Sequence, residues 1–166
     1  MPPSGPQVHR LFLMRHAQAA DSAAGLGDIA RTLTRHGRAQ SREIGRLLAE
    51  ERVDLVLCSS AIRARQTAEL LGLAAPIDYR ESLYNAGSHW ITSELAGVAD
   101  WVRTVLVVAH APGIPALTHD LAAADSDPKA LAVIERYFPP ATLVGLEFEG
   151  SWATVLEARV VMARRG

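Results

Sequence analysis

Arg15 and His16 follow directly on the apolar run Leu11-Phe12-Leu13-Met14. A guanidinium and an imidazole at the end of a buried strand fall at the C-terminal edge of a sheet, where open α/β sheets bind ligands. A second apolar run, Thr104 to Ala109, ends in His110. Two strand-end histidines imply one shared site. Arg63 adds a further cation, in the first turn of the helix expected after the strand through Cys58. Arg35-His36 repeats the dipeptide, but no strand precedes it, so it carries no such expectation.

Two guanidiniums and two imidazoles with no obligatory carboxylate make a phosphate site. Planar guanidiniums donate paired hydrogen bonds to phosphoryl oxygens, and a helix N-terminus adds backbone donors and a favourable dipole. An imidazole nitrogen can take the phosphoryl group covalently and split hydrolysis into two easier steps. Phosphoryl transfer needs mainly in-line positioning and charge neutralisation, so arginines can serve where other enzymes place Mg²⁺.

The elements that must position these residues alternate along the chain. Strands are expected at 9–14, 54–58, 77–79 and 104–109, with helices from Thr34, from Ser59 or Ser60 to Leu71, over 90–102 and over 114–123. Asp127-Pro128 opens another short helix, with a cap followed by proline at the first helical position, and Pro139-Pro140 stops it. Thr142 to Glu149 and Trp152 to Arg159 flank Glu149-Gly150-Ser151, read as a hairpin turn. Strand-helix alternation before residue 125 predicts an α/β sandwich with a mostly parallel sheet and a C-terminal antiparallel hairpin. No repeat, linker or second domain interrupts 9–166, and 1–8 reads as a flexible tail.

Composition narrows the function classes. A chain of 166 residues with 49% hydrophobic residues and a formal net charge of −1 reads as one globular domain without a nucleic-acid footprint. The single cysteine, Cys58, allows no intrachain disulfide and no CxxC motif, and it ends an apolar run as a small buried hydrophobe. No segment has the length of apolar sequence that a membrane helix needs. The start lacks the pattern of a secretory signal, which makes the cytoplasm the expected compartment, with no membrane partner.

The motifs together resemble the histidine phosphatase superfamily. They are Leu-Phe-Leu-Met-Arg15-His16-Ala17, Arg31-Thr-Leu33-Thr34-Arg-His-Gly37, Ser60-x-x-Arg63-Ala64-x-Gln66-Thr67 and Val107-Val108-Ala109-His110, in that order over nearly the whole chain. The short length, Glu81-Ser-Leu83-Tyr84-Asn85-Ala86-Gly87 and the Gly150-Ser151-Trp152 segment resemble the SixA-type phosphohistidine phosphatases. The resemblance implies a three-layer α/β/α sandwich of the phosphoglycerate mutase-like kind. It also implies His16 as nucleophile, with Arg15, Arg63 and His110 clamping the phosphoryl group, and no metal or other cofactor. Ala17 stands where the Arg-His-Gly form has glycine. Larger members place an acid glutamate a few residues before a glycine; Glu81, six residues before Gly87, does not match that offset.

A good leaving group needs little help from an acid, so the expected substrate is phosphohistidine on a protein of phosphotransfer or histidine-kinase type. A small phosphorylated molecule, handled by a phosphomonoesterase or mutase of the same fold, is the first alternative. A noncatalytic phosphate-binding adapter is the second. Glu81 and His89 are the further substrate-contact candidates. Asp21 and Asp28 lie in the loop after the nucleophile, with nothing to select between them. Arg31 is read as fixing that loop, Gln66 and Thr67 as packing or capping, Arg65 and His36 as exposed, and His9 and His119 as structural. Trp90, Trp101 and Trp152 are read as packing residues.

Overall fold

The computed structural model describes residues 5–22 and 24–166. The expected tail at 1–8 lies partly outside them, and its last residue, Val8, already belongs to the first strand, β1 (Val8–Arg15). Side chains of β1 divide by strand alternation: Leu11 and Leu13 enter one apolar cluster, Phe12 and Met14 the other. The same division runs through β2 (Leu55–Ser59), with Leu57 on one side and Val56 and Cys58 on the other. Near-continuous apolar runs are therefore strands covered on both faces.

Helix α1 (Arg35–Leu48) and helix α2 (Ile62–Leu70) cover one face with Ile44, Leu48, Ala64 and Ala68. The other face is covered by α3 (Ser88–Ala96), α4 (Gly113–Leu121) and α5 (Pro128–Ile134), through Ile91, Leu95, Ile114, Leu117 and Ala130. Three layers result. The sheet adds β3 (Ile77–Arg80), β4 (Thr104–Ala109), β5 (Leu143–Glu149) and β6 (Arg159–Arg164) in the order β3-β2-β4-β1-β5-β6. Its first four strands are parallel, whereas β5 runs antiparallel to both β1 and β6. Register aligns the C-terminal ends: Arg15 pairs with Ala109, and Cys58 with Val108. His16, Ser59 and His110 thus emerge side by side.

Two helix starts follow the sequence closely. Thr34 Oγ1 accepts the Gly37 N–H at 3.0 Å, and Asp127 Oδ1 accepts the Lys129 N–H at 3.0 Å ahead of Pro128. Neither Ser59 nor Ser60 is the N-cap of α2, which is Ala61; the Ser59 hydroxyl instead accepts the Ala61 N–H. Two expectations need correction. The helix over 90–102 starts at Ser88 and ends at Ala96, because Gly97 disfavours its continuation. The strand expected at Trp152–Arg159 is a 3₁₀ turn, Trp152–Thr154, and the true strand follows at Arg159–Arg164. The indole explains the shift: Trp152 Nε1 donates to the Val102 carbonyl at 2.8 Å, and the ring packs edge-on to His9 and Phe148. Trp152 is a core residue as expected, but Trp90 and Trp101 are exposed. Among the described residues, no helix is long and apolar enough to cross a membrane.

Candidate active site

His16 leaves β1 with its backbone N–H on the Ala109 carbonyl at 2.9 Å. Its Nδ1 lies 2.7 Å from the Ala17 carbonyl oxygen, which can only accept. Nδ1 therefore carries the proton, and Nε2 keeps a lone pair. Arg63 Nε donates to that lone pair at 3.3 Å. Helix α2 fastens the same stretch from beneath: the Ala17 N–H donates to Thr67 Oγ1 at 3.0 Å, and the Thr67 hydroxyl donates to the Arg63 carbonyl at 2.7 Å. Beyond Ala17, a Cβ on Gly37 would lie 2.1 Å from the Gln18 carbonyl oxygen. Only glycine lets α1 approach that closely.

His110 comes off β4 with its ring 5.2 Å from that of His16, tilted by 58°. Its Nε2 lies 2.7 Å from Ser59 Oγ at the end of β2. Arg15 donates from Nη1 to the Phe138 carbonyl at 2.9 Å, which fastens the end of β1 to the segment after α5. His110 Nδ1 and Arg15 Nε are buried and have no hydrogen-bond partner among the described residues. Buried polar groups are ordinarily hydrogen-bonded, and a ligand at the strand ends would be a partner for these two.

Electrostatics agree with an anion site. Burial lowers His16 to about 4, with Arg63, Arg15 and Arg31 adding to the effect against the hydrogen bond to Ala17, which raises it. Burial likewise lowers His110 to about 3, helped by His16, Arg63 and Arg15. Both imidazoles are thus neutral at pH 7, and the fixed positive charge comes from the guanidiniums. Near-neutral imidazoles among arginines suit nucleophilic attack on a bound oxyanion.

The structure also selects one of the two loop aspartates. Asp28, in the 3₁₀ turn Asp28–Ala30, accepts Arg63 Nη2 on Oδ2 at 3.0 Å, and its main-chain carbonyl accepts Arg63 Nη1 at 2.9 Å. Arg31 Nη1 donates to Oδ1 at 3.2 Å, and the Tyr84 hydroxyl donates to Oδ2 at 2.7 Å. The Tyr84 bond, with those from Arg31 and Arg63, lowers the Asp28 carboxyl to about 2. Sequence reasoning left Asp28 level with Asp21 and did not single out Tyr84 or Ser59 for the site. Two local signals were present: the i,i+3 spacing of Asp28 and Arg31, and the placement of Ser59 at a strand end.

Arg15, His16, Arg63 and His110 come together as the strand ends required. Among the described residues, neither Glu81 nor His89 has a side-chain hydrogen bond or ring contact to these four. Glu81 is exposed on the turn Glu81–Leu83, where its carbonyl accepts the Tyr84 N–H. His89 is exposed in the first turn of α3, edge-on to Trp90. Arg31 does fix its loop, with Nε donating to the Ala20 carbonyl at 2.8 Å. Gln66 Oε1 accepts the Leu33 N–H at 2.8 Å. His9 is buried in the core, stacked on Phe148, whereas Arg65, His36 and His119 are exposed. Cys58 is buried, which pushes its thiol up to about 12.

Residues 11–87 match the model of the histidine phosphatase superfamily, branch 1. The chain belongs to this superfamily and is a phosphatase of the phosphoglycerate mutase-like fold. It is similar to the phosphohistidine phosphatase SixA of Escherichia coli, at 32% identity over 72% of this chain and 78% of that protein. A structure from Nakamurella multipartitia assigned to SixA superposes with a TM-score of 0.83 at 32% identity, covering 96% of this chain and 98% of that one. An uncharacterized protein of Mycobacterium tuberculosis is 39% identical over 86% of this chain and 91% of its own length.

Proposed function

We propose that this chain is a metal-independent phosphohistidine phosphatase that works through a covalent phosphoryl group on His16. The observation that carries the reading is the His16 tautomer: Nδ1–H on the Ala17 carbonyl, with the lone pair on Nε2, where it meets only the Arg63 Nε–H among the described residues. In the first step Nε2 bonds to phosphorus as the P–N bond of the substrate breaks. A phosphoimidazole protonated on its other nitrogen leaves as neutral imidazole and needs no acid. Water then attacks phosphorus, the Nε2–P bond breaks, and the water protons end on phosphate. Nδ1–H makes His16 the same kind of leaving group in this second step. Arg15, Arg63 and His110 bind the phosphoryl oxygens and oppose the charge that develops on them.

Support for phosphohistidine over alkyl esters comes from the carboxylates. Asp28, hydrogen-bonded by Tyr84 and also by Arg31 and Arg63, is held at about 2 and so has no proton to give at neutral pH. Glu81 is exposed, with no side-chain hydrogen bond to the clamp among the described residues. The SixA-type relative named above is itself a phosphohistidine phosphatase by name. A phosphorylated histidine on a partner protein of phosphotransfer or histidine-kinase type, met in the cytoplasm, is the substrate this favours. The test compares kcat/KM for a phosphohistidine protein, p-nitrophenyl phosphate and 3-phosphoglycerate, with and without EDTA. Efficient hydrolysis of the first two, little of the third and no EDTA effect are expected. A preference for 3-phosphoglycerate would move the assignment to a small-molecule phosphatase.

A further inference from the structure

Arg63 is 4% exposed and turns two different edges to the site. Its Nε–H faces His16 Nε2, while Nη1 and Nη2 are both taken by Asp28, one by the main-chain carbonyl and one by the carboxylate. A guanidinium on three rotatable carbons has no fixed heading of its own. Two bonds from one residue fix both its position and its rotation. From this geometry we infer that Asp28 is a positioning residue, which grips the outer end of Arg63 and so aims the Nε edge at the phosphoryl group on His16. The inference rests on the reading of Arg63 as part of the phosphoryl clamp.

Asp28 is itself placed by several independent contacts. The loop that carries it is closed at its base, where the Ala20 N–H bonds to the Thr32 carbonyl and Ala19 bridges Leu33. Arg31 ties the interior of the loop to Ala20 and to Asp28, and the Tyr84 hydroxyl holds Oδ2 from the opposite side. Gly27, just before Asp28, has φ 77° and ψ 170°, a conformation open essentially to glycine alone. Among the described residues no heavy atom lies within 4 Å of a Cβ built there, so backbone conformation is the feature that demands glycine. The chain thus spends a glycine on directing Asp28 back toward Arg63.

A carboxylate on Arg63 could act in the opposite sense, as a plug that competes with the substrate for the same cation. The two roles differ in sign. Asp28→Ala, Asp28→Asn, Tyr84→Phe and Gly27→Ala are compared with wild type by kcat and KM on p-nitrophenyl phosphate and by tungstate inhibition. The Arg63 Nε–H resonance in ¹⁵N NMR reports guanidinium order without any need for turnover. Positioning predicts that Asp28→Ala lowers kcat by roughly 10–100-fold, the scale of a misplacement near 1 Å. It also predicts weaker tungstate inhibition and loss of the ordered Nε–H signal. Asp28→Asn and Tyr84→Phe should fall between, and Gly27→Ala should reproduce the loss with every side chain of the clamp intact. Tighter tungstate binding, or kcat and Nε–H signal unchanged in Asp28→Ala and Gly27→Ala, would overturn the inference. If wild type neither turns over nor binds tungstate, the clamp reading fails instead, and the NMR comparison still decides whether Asp28 orders Arg63.

Discussion

Arg63 Nε–H points at the lone pair of His16 Nε2 across 3.3 Å. On the proposed mechanism, His16 Nε2 at rest thus accepts a hydrogen bond from a guanidinium that would meet a phosphoryl oxygen once Nε2 has attacked. His16→Ala is expected to abolish turnover and the acid-labile, base-stable phosphoenzyme seen by rapid quench. Arg63→Ala and Arg15→Ala should each lower kcat by about 10²–10³, as for loss of one preorganised donor, with circular dichroism unchanged. Activity within a few fold of wild type would remove either arginine from the clamp.

Ser59 predicts a smaller effect. Its hydroxyl, 2.7 Å from His110 Nε2, orients the ring and leaves Nδ1 for the ligand. Ser59→Ala removes this bond and also the one accepted from the Ala61 N–H; loss of the bond to His110, about 1 kcal/mol, should lower kcat by roughly 5-fold with little change in KM. An equal rise in KM alone would assign Ser59 to ground-state binding.

The strand-end histidines also set an acid limit on stability. Folded values of about 4 for His16 and about 3 for His110 lie below the ordinary 6.5. Above pH 6.5 neither folded nor unfolded imidazole binds a proton, and this contribution to stability is complete. As pH falls from 6.5 toward 3 the unfolded chain takes up protons first, and stability declines. Calorimetry should show Tm falling over that interval, and His16→Gln with His110→Gln should flatten the curve. An equally steep curve in the double variant would trace the loss to other groups.

Glu81→Gln separates the substrate classes from the other side. With the Glu81 side chain exposed on its turn, kcat/KM on p-nitrophenyl phosphate should stay within a few fold of wild type. A fall of about 10² or more, the scale of general acid catalysis, would make Glu81 the missing acid.

Gly37→Ala tests the support of the segment that follows His16. A Cβ 2.1 Å from the Gln18 carbonyl must push apart α1 and the strand exit, at a cost of about 1–3 kcal/mol. Denaturant unfolding should shift accordingly, and a neutral result would mean that the loop after His16 yields freely.

The parallel core was legible because buried strands read as apolar runs: Leu11 to Met14, Leu55 to Cys58 and Val105 to Ala109 carry their own ends. Strand ends in turn gave Arg15, His16 and His110, and the helix start gave Arg63. What stayed hidden depends on contacts between distant residues. Trp152 looks like a strand residue until the Val102 carbonyl, fifty residues away, takes its indole N–H. Asp28 looks like Asp21 until Tyr84, fifty-six residues on, closes over it. Local spacing encodes periodicity and caps; it does not encode which loop carboxylate meets a cation from another element.

The bond from Arg15 Nη1 to the Phe138 carbonyl spans 123 residues of chain. It links the first strand of the sheet to the segment that leads into its antiparallel edge. Loosening the chain near Phe138 would release Arg15 at the far end of the sequence, so damage to either stretch is felt at the other. Occupancy of the site should accordingly slow hydrogen exchange at the end of β1 and in the turn before β5 together. A ligand at the strand ends would then act as a clasp between β1 and the stretch before β5.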